Sequence, residues 1–389
     1  MRGYFVLIAA VIMQICLGSI YGWSVFVQPL VNIYMFSVTQ TQLIFGSTIA
    51  IFTITMMLSG RLYNTYGPRI IASIGGILFG LGYIIASASS GSFIYVMLGI
   101  SLVSGMGIGF GYICPLSVSV LWFPKYKGLV SGLAVGGFGA GAIIVTSVAS
   151  HYLAEGVDVL VLFRGLGVIY GLAILLVAQF LVIPLSACGS KTAVKSRTIK
   201  LNTLVADRVF TRLAMGMFSG TFAGLLVIGN LGSIGLAVGL SAREVVLGVS
   251  AFAVGNGLGR ISWGWLYDMV GRITLVISLF VLALAILSLS VLSDFGILFI
   301  LVAGLIGFSF GASFVLYVAY TATKYGATGV SQVYPAIFLF YGISGIFGPV
   351  MGGYLFDTTG SYQLAIIVAT VVATLGAVGL YGIIKNQAE

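Results

Sequence analysis

Long apolar runs alternate with short polar breaks along this chain, and each run is longer than the core helices of a soluble domain need. A bilayer core about 30 Å thick takes about 20 apolar residues of α-helix. By that measure the pattern predicts twelve membrane segments. The first six cover about 4–30, 40–63, 69–89, 92–121, 127–150 and 164–186. The second six cover about 208–237, 242–268, 272–293, 295–323, 327–357 and 361–385. Several exceed one passage, so they tilt, bend or protrude. The polar stretch between the two sets carries Lys191, Lys195, Arg197 and Lys200. The expected organisation is a six-helix half over 1–187, a basic linker over 188–207 and a second six-helix half over 208–389. Met1-Arg2 before an apolar run imitates a signal peptide, and Met13-Gln14-Ile15-Cys16 imitates a lipoprotein cleavage site. The run continues to about Leu30, too long for a signal peptide, so it reads as an uncleaved first membrane helix.

Composition turns this pattern into a class. Of 389 residues, 60% are hydrophobic and 6% charged, where a soluble domain has about 25% charged residues. This is an all-α integral membrane protein, partnered by the lipid bilayer. Fifty-five glycines suit helices that pack backbone to backbone. The net charge of +9 invites a nucleic-acid reading, but the placement of the charge removes it. With the N-terminus inside, the cytoplasmic side receives Arg2, Arg61, Arg69, Lys125, Lys127, Lys191, Lys195, Arg197, Lys200, Arg208, Arg212, Arg272, Lys324 and Lys385. The outer side receives Arg164 and Arg243. That asymmetry predicts cytoplasmic termini. Cys16, Cys114 and Cys188 are scattered and form neither a disulfide framework nor a metal spacing. His151 reads as a solvated loop residue. No metal or cofactor is expected, and neither is a catalytic residue.

The remaining cation is Arg260, deep in the eighth segment, within Gly255-Asn256-Gly257-Leu258-Gly259-Arg260. An arginine at the centre of a membrane helix costs about 2.5–3.5 kcal/mol on insertion scales. Guanidinium is a planar fork that pairs with a carboxylate through two hydrogen bonds. Arg260 is therefore the candidate anion site. Asn256, one turn back on the same face, either orients Arg260 or touches the substrate. Tyrosines offer hydroxyl donors on apolar rings. Tyr21 lies on a stripe with Gln14, Gly18 and Gln28, Tyr112 lies before Pro115, Tyr317 follows Ser309 and Ser313, and Tyr341 lies deep in the eleventh segment.

The two halves echo each other. Gly60-Arg61-Leu62-Tyr63-Asn64-Thr65-Tyr66-Gly67 follows the second segment, with Arg69 close behind. Gly264-Trp265-Leu266-Tyr267-Asp268-Met269-Val270-Gly271 follows the eighth, with Arg272 close behind. Both read G-x-L-Y-[N/D]-x-x-G, which makes the halves parallel repeats. This repeated octet resembles the loop signature of the major facilitator superfamily. The resemblance implies the major facilitator fold, with two pseudo-symmetric six-helix halves. It also implies a gating role for Gly60, Arg61, Asn64, Gly67, Arg69, Gly264, Asp268, Gly271 and Arg272, whose polar members clamp neighbouring helices. Tyr63, Tyr66 and Tyr267 belong to the same signature.

Three further stretches narrow the resemblance. They are Tyr21-Gly22-Trp23-Ser24-Val25-Phe26, the run Lys127–Gly137, and the run Gly348–Tyr362. With the Arg260 segment they are similar to the oxalate/formate antiporter and monocarboxylate transporter branch. That branch carries small carboxylates and uses the arginine of the eighth helix as its anion site. Tyr21, Tyr112 and Tyr317 match positions the branch uses around its substrate, while Tyr341 is chosen for depth alone. The chain departs from the branch in two places. The oxalate carriers' second cation is absent from Phe338–Phe347, which suits a monoanion better than a dianion. The acid that proton-coupled animal carriers have one turn before the arginine is Asn256 here, and the first segment has no lysine.

These readings converge on a secondary transporter of small monocarboxylates such as lactate or pyruvate, in a bacterial inner membrane, working as a monomer. Uptake of a lone anion against an inside-negative potential costs about 2.3 kcal/mol per 100 mV, so a proton is the expected co-substrate. Electroneutral exchange of the oxalate/formate type is the first alternative, and a small-anion channel the second. A membrane enzyme or receptor lacks any supporting motif. A drug exporter of the same superfamily tends to carry acidic residues within the membrane, which this chain does not.

Overall fold

The computed structural model describes residues 2–184, 201–292 and 296–385. Cys188 and most of the expected linker, 188–200, lie outside the described residues. Among the described residues the chain is helical, with no strand. In order, α1 is Arg2–Gly18, a 3-10 turn is Ser19–Gly22, and α2 is Ser24–Tyr34. Next come α3 (Val38–Ser87), α4 (Phe93–Met97), a π-helical segment (Leu98–Ser104) and α5 (Gly105–Trp122). Then follow α6 (Lys127–Ala154), α7 (Val159–Ala178) and the short α8 (Leu201–Ala206). The rest are α9 (Arg208–Ala237), α10 (Ala242–Val270), α11 (Ile273–Leu292), α12 (Gly296–Lys324), α13 (Ala327–Thr359) and α14 (Gln363–Lys385). Among the described residues, eleven stretches are long and apolar enough to cross a membrane. One of them, Leu43–Ser87, has 45 residues. At 1.5 Å per residue it runs about 68 Å, twice what one passage needs.

Gly67 divides that long helix, at φ 79° and ψ 168°. Gly271 closes α10 at φ 78° and ψ −153°. These are the last glycines of the two signature octets, and their conformation is one that only glycine adopts without strain. The sequence echo is thus a pair of matching turns. The octets' first glycines, Gly60 and Gly264, also match in role. A Cβ on Gly60 would strike the Ser331 carbonyl, and one on Gly264 would strike the Gly128 carbonyl.

Two segments expected as single helices are interrupted. The first segment, predicted as one helix over about 4–30, narrows to a 3-10 turn at Ser19–Gly22, held by the Trp23 N–H donating to the Ile20 carbonyl at 3.1 Å. The cause is close packing. Gly18 sits against the Phe138 carbonyl of α6, and Gly141 of α6 sits against the Ile15 carbonyl. The fourth segment widens to a π-helix at Leu98–Ser104. Here glycine contacts with α3 set the register. Gly99 abuts the backbone at Gly82 and Ala86, and Gly107 abuts the backbone at Gly75 and Phe79. Those contact points are seven residues apart on α3 and eight apart on the facing helix. One extra residue is what a π-turn absorbs.

The chain forms two compact units. The first comprises Met1–Pro124, Leu133–Thr198 and Tyr325–Pro335. The second comprises Lys125–Gly132, Ile199–Lys324 and Ala336–Glu389. Each unit therefore includes one short segment from the other half of the sequence. In the first unit, Asp158 caps α7, accepting from the Leu160 N–H at 2.6 Å, and also accepts from the Tyr34 hydroxyl at 2.7 Å. In the second unit, Ser241 and Glu244 form a capping box that starts α10. Cys16 and Cys114 are free and buried. His151 is exposed and lies 3.3 Å from Glu155.

Candidate functional site

Arg260 is placed by bare backbone. Gly255, Gly259 and Gly307 let α10 and α12 approach until the backbones touch, at the Gly304, Phe308 and Phe252 carbonyls respectively. Gly311 then lies beside the Asn256 carbonyl and the Arg260 N–H. Gly132, in the α6 segment of the same unit, covers the Arg260 carbonyl. Side chains larger than hydrogen at these positions would separate the helices.

The Arg260 side chain is 1% exposed. Among the described residues it is the only buried charged side chain. Its Nε donates to Asn256 Oδ1 at 3.2 Å. Asn256 is thus hydrogen-bonded to Arg260 one turn away. The guanidinium carbon lies 4.5 Å from the centre of the Phe314 ring. Such cation–π contacts contribute about 0.5–2 kcal/mol, more when desolvated. Phe314 is held edge-on by Tyr341, with ring centroids 5.1 Å apart, and Tyr341 meets Phe338 at 5.1 Å. Arg260, Asn256 and Tyr341 are thus brought together, through Phe314.

Tyr317 is placed differently. Its ring is buried, and its hydroxyl lies beside Gly216 of α9 and Leu380 of α14. Ser313 lies beside Gly220 on the same helix face. Among the described residues the Tyr317 hydroxyl has no hydrogen-bond partner. The stripe of Ser309, Ser313 and Tyr317 exists as the spacing suggests, and its Ser313 and Tyr317 members contact α9.

In the first unit, Tyr21 sits in the 3-10 turn, and its ring meets Phe138 edge-on at 5.0 Å. Tyr112 is buried and meets Phe138 at 5.3 Å and Phe52 at 5.1 Å. Tyr21 and Tyr112 therefore share one aromatic neighbour. Gln14 donates from Nε2 to the Tyr112 carbonyl at 3.3 Å.

The signature residues have specific contacts. Asp268 accepts from the Gly128 and Leu129 N–H groups, both at 2.8 Å. A carboxylate on two orphan N–H groups at the start of α6 satisfies them and faces the positive end of the helix dipole. Lys127 donates from Nζ to the Ala322 carbonyl near the end of α12, at 3.4 Å. In the first unit, the Ser331 hydroxyl donates to Asn64 Oδ1 at 3.1 Å, while Asn64 Nδ2 donates to the Gly60 carbonyl at 3.0 Å. Gly60, Asn64, Gly67, Gly264, Asp268 and Gly271 thus have a contact or a turn that uses their residue type. Arg61 and Arg69 are exposed.

Sequence reasoning missed Phe314, Phe138, Phe52 and Phe338. Hydroxyl donors stand out in the sequence, whereas the rings around the tyrosines and the guanidinium are mostly phenylalanine. Phe310 and Phe314, one turn apart on a helix with glycines on another face, were the available signal. Among the described residues no cluster of three or more His, Cys, Asp or Glu side chains is placed to hold a metal.

A helical, many-pass membrane protein with one buried guanidinium and two matched turns is built as a transporter. The chain belongs to the Major Facilitator Superfamily, whose family model matches residues 5–334. It is 27% identical over 353 residues to the uncharacterized MFS-type transporter YhjX of Escherichia coli strain K12, covering 87% of this chain and 85% of that protein. It is 26% identical over 353 residues to the oxalate:formate antiporter of Oxalobacter formigenes, covering 87% and 83%. It is 26% identical over 332 residues to monocarboxylate transporter 11 of Mus musculus, covering 79% and 71%. Among solved structures, a variant of the Escherichia coli fucose:proton symporter FucP superposes with a TM-score of 0.72 at 14% identity, covering 96% of this chain and 97% of that one. The proton:xylose symporter XylE gives 0.68 at 16%, covering 98% and 95%. At such identities the two structures establish the fold alone.

Proposed function

We propose that this transporter carries small monocarboxylate anions of the lactate or pyruvate kind, one proton moving with each anion, by alternating access. Arg260 binds the carboxylate. The observation that carries this reading is the buried guanidinium, oriented by Asn256 and backed by Phe314. Relatives named for oxalate and formate, and for monocarboxylates, support the carboxylate class. A lone buried cation among the described residues favours a monoanion, because a dianion would bring uncompensated charge into low dielectric. Tyr341, which packs against Phe314, is proposed as a further substrate contact for its depth, and Tyr21, Tyr112 and Tyr317 on the strength of the family resemblance. With no acid one turn from Arg260, the proton rides on the substrate carboxyl, whose reference pKa is about 4.

The signature residues act as a gate. The contacts of Asp268 and Lys127 with helix ends, and of Asn64 with Ser331, hold one end of each unit shut. The bias in Lys and Arg placement supports cytoplasmic termini, and bacterial relatives support an inner-membrane location.

The test is uptake of labelled lactate, pyruvate, formate and acetate into proteoliposomes, with oxalate as control. Arg260→Lys and Arg260→Gln should lower uptake about 100-fold, as expected for losing a paired, charge-assisted contact. Near-normal uptake by either variant overturns the assignment. Exchange is the second reading, favoured by the oxalate:formate antiporter among the relatives. Vesicles without internal substrate separate the two. Symport alkalinises the outside as substrate enters, and exchange gives no net uptake.

A further inference from the structure

A second cationic position lies outside the transport site, at the seam between α9 and α14. The two helices pack through small residues. Ser219 lies against Gly376, and Gly216 lies beside Leu380. At the end of this seam, Arg212 lies over Gly382. A Cβ there would meet the guanidinium Cζ, Nη1 and Nη2 at 2.8, 2.9 and 2.9 Å. The whole planar group therefore rests flat on bare helix backbone. Arg212 is half-buried, and Arg208, one turn nearer the start of α9, is exposed. Among the described residues neither makes an ion pair. Asp207 is engaged in capping α9, through the Val209 N–H at 2.8 Å.

The surface one turn deeper is apolar. Met215 and Val378 are 61% and 58% exposed. They follow the faces that carry Arg212 and Gly382, at three and four residues' spacing. In a membrane-spanning protein this exposed apolar surface faces hydrocarbon. Two cations thus precede an exposed apolar surface by one turn, the order in which a lipid headgroup precedes its acyl chain.

We propose that the Arg208–Arg212 pair, seated on Gly382, binds the phosphate of one anionic phospholipid, whose acyl chain lies along Met215 and Val378. Arg164 is the useful contrast. It is also an exposed arginine in a membrane helix, on α7, but the structure shows no glycine seat beneath it and no second arginine one turn away.

The experiment is native mass spectrometry of the purified full-length transporter titrated with phosphatidylglycerol or phosphatidylcholine. The wild type should retain one phosphatidylglycerol in preference to phosphatidylcholine. Arg212→Gln should weaken that retention about fivefold, the usual contribution of one basic side chain at a lipid surface. Gly382→Val keeps both charges but lifts the guanidinium from its seat, and it should weaken retention comparably. Arg164→Gln should change nothing. Equal retention of the two lipids by wild type, or wild-type retention by Arg212→Gln, overturns the proposal. If Gly382→Val does not fold, as judged by gel filtration, Arg212→Gln and the double Arg208→Gln/Arg212→Gln variant still decide it.

Discussion

At the residue scale, the departure that defines this chain is Asn256. Its Oδ1 accepts from Arg260 Nε and carries no charge, so it orients Arg260 without neutralising it. Asn256→Asp converts the orienting contact into an ion pair. In a buried setting such a pair competes with the incoming carboxylate for the guanidinium. The expected result is a KM raised about tenfold or more, with kcat less affected, measured as concentration-dependent uptake in proteoliposomes. An unchanged KM would mean that Arg260 does not meet the substrate carboxylate. Arg260 and Asn256 were legible in the sequence because a charge inside an apolar run needs no structure to be conspicuous. Phe314 was not, since one phenylalanine among twenty-six carries no mark until its ring is found beneath a guanidinium.

At the element scale, membrane segments followed from apolar run length, and their interruptions did not. The π-segment Leu98–Ser104 arises because Gly99 and Gly107 must both meet α3 while their spacing is one residue too long. Deleting Leu102, which is exposed, should remove the extra residue and misalign one of the two glycine contacts. The expected outcome is a protein that inserts but loses thermal stability, read as a melting temperature in detergent lowered by several degrees. A deletion variant as stable as the wild type would show that the register argument is wrong. The 3-10 turn at Tyr21 was likewise hidden, because it depends on how closely α6 approaches Gly18. The signature turns were legible, because glycine at Gly67 and Gly271 is a local requirement that shows as residue type.

At the scale of the whole molecule, each unit contains one signature octet, and the two octets make different hydrogen bonds. Asp268 makes two charge-assisted bonds to the start of α6, whereas Asn64 accepts one neutral bond from Ser331. Hydrogen bonds to a charged group contribute about 1.5–3 kcal/mol each, about twice the neutral value. Asp268→Asn should therefore loosen its end of the second unit more than Asn64→Ala loosens the first. The measure is maleimide labelling of Leu129→Cys on a cysteine-free background, expected to rise about tenfold with Asp268→Asn. Equal labelling with and without the Asp268 carboxylate would overturn its proposed gating role.

The sequence by itself determined the membrane class, the repeat and the deep cation. Each of these follows from what a residue costs or permits locally, whether in hydrocarbon, at a glycine-only turn or along an apolar run. Tertiary structure alone decided which neighbours meet that cation. It set Phe314 under Arg260, turned the Tyr317 hydroxyl to Gly216 and Leu380, and laid Arg212 on Gly382. These outcomes depend on the rotation and depth at which helices pack, and glycine contacts between segments distant in sequence set both.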